Sequence, residues 1–112
     1  MLLSIDLETY SSADLSLTGV TKYAAAEDFR ILLCAFAIDG GPVRVLDLEN
    51  SAEDIRYFNT DFLQLLYDPE VIKSAYNASF ELTCLKSHFN MTGGQYERML
   101  GQFTCTMAQA AY

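Results

Sequence analysis

Asp6 and Glu8 are the first residues of this 112-residue chain whose type and spacing could do chemistry. They lie in Leu2-Leu3-Ser4-Ile5-Asp6-Leu7-Glu8, where Leu3, Ile5 and Leu7 alternate with Ser4, Asp6 and Glu8. That alternation predicts a strand with one apolar and one polar face. The two carboxylates then share a face, with Cβ atoms about 6.5–7 Å apart. Carboxylates held together on a partly buried surface repel, so each ionised form disfavours the other. A hard divalent cation, Mg2+ or Mn2+, removes the conflict and favours oxygen ligands. The competing reading is a solvated strand face that is merely acidic. The same spacing recurs at Asp47/Glu49 and Asp68/Glu70, but only Asp6/Glu8 sits inside an apolar strand.

Glu81 is the third candidate. The spacing predicts a helix over Ala78 to Phe89, with Glu81 in its first turn on the side of Leu85 and His88, flanked by Leu82 and Phe89. An acid there also suits the positive end of the helix dipole, worth about 0.3–1 kcal/mol. His88, the sole histidine, lies near the end of that helix and reads as structural.

The elements that must position these residues follow from patterning. A short helix is predicted around Thr21–Ala26. Ile31 to Ile38 is nearly all apolar, Asp39-Gly40-Gly41-Pro42 is a turn, and Val43 to Leu48 returns, so 30–48 reads as a β-hairpin. A helix opens at Ser51 with Asp54 as its capping-box acid, carries Ile55, Phe58, Phe62, Leu65 and Leu66 at helical spacing, and stops at Asp68-Pro69. Val71 to Tyr76 is a strand, Gly93-Gly94 breaks the helix that follows, Gln102 to Thr106 is a weak strand, and Thr106 to Tyr112 starts a helix. This order implies one α/β domain with helices packed on a mixed sheet.

Composition narrows the partners. Fifteen acidic residues against seven basic ones leave a net charge of −8, and the basic residues are scattered. That argues against a phosphate binder working by basic surface alone. A hydrophobic fraction of 51% excludes a disordered acidic tail. Cys34, Cys84 and Cys105 form no C-x-x-C pair, which fits free thiols in a reducing cytosol. No stretch reaches the 18 or so apolar residues of a membrane span, and the N-terminus has no signal-peptide pattern.

The chain resembles a known family. Leu3-Ser4-Ile5-Asp6-Leu7-Glu8-Thr9-Tyr10 resembles the first motif of the DEDD (DnaQ-like) 3′–5′ exonucleases, a strand reading D-x-E-T, and Tyr76-Asn77-Ala78-Ser79-Phe80-Glu81 resembles the second. Gly19-Val20, Lys22-Tyr23-Ala24, Ile31 to Phe36, Ile72-Lys73, Cys84-Leu85 and Cys105-Thr106-Met107 extend the likeness to the N-terminal region of phage-type family A DNA polymerases. The resemblance implies a ribonuclease H-like mixed sheet, an antiparallel hairpin plus parallel strands with flanking helices, its first strand central. It further implies proofreading hydrolysis of DNA 3′-terminal phosphodiesters with two Mg2+ or Mn2+ ions. Asp6 would bridge both ions, Glu8 would ligate the nucleophile-side ion and Glu81 the second. Thr9 and Tyr10 would lie near the terminal nucleotide, with Asn77 and Phe80 shaping its pocket.

Two departures accompany the likeness. The second-motif acid, often aspartate in the family, is Glu81, whose extra methylene lengthens its reach. The third motif, a Tyr or His base followed by a fourth carboxylate, has no counterpart after Glu81; Tyr10/Asp14 and Tyr57/Asp61 match its spacing but precede the second motif. The expectation is therefore residues 1–112 as part of an incomplete exonuclease domain, cut before the third motif and weakly active or inactive alone. The remainder of a polymerase chain, a DNA 3′ end and a second copy paired through exposed edges are its expected partners, in the cytoplasm of a bacterial or phage-infected cell. Two other readings stay open: an RNA-directed exonuclease of the same superfamily, and a non-catalytic acidic interaction module.

Overall fold

The alternating N-terminal segment forms β1 (Leu2–Tyr10), the central strand of a five-stranded sheet, in a computed structural model that describes residues 1–105. The remaining elements are α1 (Leu15–Ala25), β2 (Arg30–Ile38), β3 (Arg44–Asp47), α2 (Ala52–Tyr57), a π-helical turn (Phe58–Phe62), α3 (Leu63–Tyr67), β4 (Ile72–Ala75), α4 (Ala78–Phe89), α5 (Gly93–Leu100) and β5 (Phe103–Cys105). The helix start expected at Thr106–Tyr112 lies outside the described residues. Strand order is β3-β2-β1-β4-β5. β2 is antiparallel to β1 and β3, while β4 runs parallel to β1 and β5. The fold is α/β, a mixed sheet with flanking helices, as expected of a ribonuclease H-like arrangement with its first strand central.

One face of the sheet makes the core. Leu3, Ile5 and Leu7 of β1, with Cys34 and Phe36 of β2 and Leu46 of β3, are buried against the helices. From the helices come Phe58, Phe62, Leu66, Leu82 and Leu85. Phe58, Phe62 and Leu66 are spaced by four and all fully buried. In a regular α-helix that spacing drifts by roughly 40° per step. The wider π turn over Phe58–Phe62 absorbs the drift and lets the two rings stack at 5.0 Å. The opposite face carries Ser4, Asp6 and Glu8 of β1, and Val43, Val45 and Ile72 are exposed. Among the described residues no helix is long and apolar enough to cross a membrane.

Three local expectations change in the structure. α1 begins at Leu15 rather than Thr21, because Asp14 caps it by accepting from the Ser16 N–H, and it kinks at Gly19 with φ of 80°. Ser51 caps α2 as expected, but the Asp54 carboxylate accepts from the Asp47 N–H at 3.0 Å and so ties α2 to the end of β3. Gly93-Gly94 opens a helix as well as following one. α4 ends at Asn90 in the left-handed region, and Thr92 with Gln95 forms a reciprocal capping box that starts α5. One residue inside the predicted fourth strand adds a buried charge: Lys73 is fully enclosed beside Leu3 on the core face.

Candidate active site

β1 and β4 pair only from Leu2/Ile72 to Ser4/Ser74. β4 stops at Ala75, and Tyr76 and Asn77 turn the chain into α4. Past Ser4, among the described residues, β1 keeps a partner on its β2 side alone, where pairing continues to Tyr10/Arg30 across an irregularity at Glu8/Thr9. The chain leaves β1 toward β2 and leaves β4, through α4, toward β5 on the other side. Parallel strands whose carboxyl ends diverge in this way open a crevice where ligands bind. Asp6 and Glu8 lie on β1 past its last pair with β4, and α4 begins just beyond the end of β4.

Asp6 and Glu8 project from the face opposite Leu3, Ile5 and Leu7, and both are exposed. Glu81 contrasts with them. It is 4% exposed, and among the described residues its Oε2 has no hydrogen-bond partner. Burial, and then the charge of Asp6, push its carboxyl up to about 7. Burial, and then the charge of Glu81, likewise push the Cys84 thiol up to about 12. Burial and the Asp6 charge raise Cys34 well above the ordinary thiol range. Both thiols are therefore protonated and unreactive at neutral pH.

Among the described residues, no three His, Cys, Asp or Glu side chains gather closely enough to form a metal-ligand group. The acids that interact are Asp6 and Glu81, while Glu8 stands two residues further along the exposed face. A buried carboxylate oxygen without a donor, under the charge of a second carboxylate, suits a hard cation: the donors are all oxygen and the ion would satisfy the orphaned atom.

The nucleotide-side candidates differ in exposure and in partners. Thr9 is half-buried, and its Oγ1 lies 2.9 Å from the Tyr23 hydroxyl. Tyr10 is exposed, with the Arg30 guanidinium 4.6 Å from its ring centre. Asn77 occupies the N-cap of α4, yet its side chain makes no capping hydrogen bond. Phe80 is half-buried, its ring centre 6.1 Å from that of Tyr23. Tyr23 therefore touches two candidate residues from different elements. Nothing in its sequence neighbourhood, Lys22-Tyr23-Ala24, marks it beyond its place in the family likeness.

No family model matches the sequence. The chain is 43% identical over 108 residues, 96% of its own length, to a protein named DNA polymerase from Bacillus phage SP02. It spans 15% of the length of that relative.

Proposed function

We propose that this chain is a segment of a DNA polymerase and contributes the carboxylates of a metal-dependent 3′–5′ exonuclease site that proofreads DNA 3′ ends. The observation that carries the reading is the buried Oε2 of Glu81, which has no hydrogen-bond partner among the described residues and feels the charge of Asp6, itself on β1 past the last β1–β4 pair. The similarity to a phage DNA polymerase supports the same reading.

Asp6 and Glu81 would hold a divalent ion between them, with Glu8 available from the exposed face. Bound Mg2+ or Mn2+ supplies Lewis acidity and charge neutralisation at a phosphodiester. Thr9 offers a hydroxyl and Phe80 an aromatic surface to the terminal nucleotide. A chain of net charge −8 repels DNA, so neutralising the acids at the crevice also removes a local barrier to the phosphate.

Thermal melting of the 112-residue chain in chelator and in millimolar Mn2+ tests this. A ligand that binds the native state must stabilise it. The expected result is a Mn2+-dependent rise in Tm that Asp6→Ala and Glu81→Gln abolish, together with Mn2+-dependent binding of a labelled single-stranded oligonucleotide. A Tm indifferent to Mn2+ would leave the acidic interaction module as the better reading.

A further inference from the structure

We infer that Tyr23 is a positioning residue of this site, holding Thr9 and Phe80 in register so that the Thr9 hydroxyl is presented to an oxygen of the bound nucleotide. The inference rests on the nucleotide-binding part of the proposed function and adds to it a residue on a third element.

The local fold aims Tyr23 at the end of β1. Gly19, with φ of 80° and ψ of 166°, breaks α1, so that residues 20–25 run in a direction of their own. The conformation favours glycine because a side chain rarely adopts positive φ. That second half is anchored to α4: the Ser87 hydroxyl donates to the carbonyl of buried Ala24 at 2.6 Å. The Tyr23 ring meets Phe29 edge-on at 6.0 Å and Phe80 at 6.1 Å with a 44° tilt, while its hydroxyl meets Thr9. Thr9 follows Glu8 and Phe80 precedes Glu81, so Tyr23 bridges the immediate neighbours of two candidate carboxylates.

Either hydroxyl can donate across this contact. A phenol is more acidic than an aliphatic alcohol and is the better donor, and in the proposed arrangement Tyr23 donates and Thr9 accepts. The Thr9 proton is then left to donate elsewhere, to a phosphate or sugar oxygen. A ring contact serving packing alone needs no hydroxyl.

Binding of a 5′-fluorescein-labelled hexathymidylate in Mn2+, followed by anisotropy, tests the role in the 112-residue chain. Tyr23→Phe keeps the ring and removes only the hydroxyl; Thr9→Val keeps the shape of Thr9. Each is expected to weaken oligonucleotide binding about 5- to 10-fold, with the double variant no weaker than either single one, because the two hydroxyls act as a unit. The Mn2+-dependent rise in Tm is expected to persist in Tyr23→Phe, which separates nucleotide positioning from metal binding and from misfolding. Wild-type binding that Tyr23→Phe leaves unchanged, or additive losses in the double variant, would overturn the role of Tyr23 alone. Absence of any Mn2+-dependent binding by the wild type would overturn the nucleotide-binding reading and this inference together.

Discussion

Lys73 and Glu81 are two buried ionisable groups on adjoining elements, and their surroundings treat them oppositely. The Lys73 ammonium donates to the Asp68 carbonyl at 2.7 Å and to the Gln102 side chain, joining the turn before β4 to the segment before β5. Among the described residues, no donor reaches Oε2 of Glu81. A buried charge whose partners surround it holds a fold together; one left with an open oxygen is a place where a ligand can bind. Burial alone does not distinguish the two, and partner geometry does.

Lys73 offers the most direct challenge to that contrast. Lys73→Ala is expected to cost about 3 kcal/mol in urea unfolding, from the cavity and the stranded acceptors. Lys73→Met, which refills the space, should cost less. Next comes the metal response: Mn2+ at about tenfold its Kd should add about 1.4 kcal/mol to the wild type. Glu81→Gln should lose that gain and Lys73→Met should keep it, as melting curves would report.

Titration separates the two residues further. The folded-state pKa of Glu81, about 7, lies above its ordinary value of 4.5. Its contribution is therefore fully present below about pH 4.5 and lost as pH rises through about 7. In chelator at pH 8, Glu81→Gln is expected to stabilise the chain by about 1 kcal/mol. Lys73 has the opposite slope, because burial lowers it from 10.5 to about 8. The unfolded chain then holds the extra proton, so stability from this group rises between about pH 8 and 10.5. Denaturant titrations across both windows would show whether each slope disappears with its own variant. The smallest expected effects are at the helix starts. Thr92→Ala should cost about 1 kcal/mol by removing the capping box of α5, whereas Asn77→Ala, which removes no capping bond, should cost a few tenths.

Much of the fold is legible in the chain itself. Alternation over Leu3 to Leu7, the hairpin turn at Asp39-Gly40 and the bounds of α4 from Ala78 to Phe89 are local patterns, and local patterns survive folding. α5 is missed because Gly93-Gly94 reads as a break, which outweighs the capping-box spacing of Thr92 and Gln95 whose reciprocal hydrogen bonds start the helix. Pattern assigns the Asp54 carboxylate to its own helix end, but β3 lies close enough to supply a different donor.

The order of the strands, the carboxylates at 6, 8 and 81, and the face each occupies on its own strand or helix can all be read from the residues, because side-chain direction follows from backbone period. Other outcomes appear only once the elements pack. Asp6 acts on Glu81 while Glu8 stands apart, Lys73 is satisfied and Glu81 is not, and Tyr23 meets Thr9 and Phe80. These depend on where β4 leaves β1 and where Gly19 turns α1. Distances between separate elements are set by packing, which no local pattern encodes.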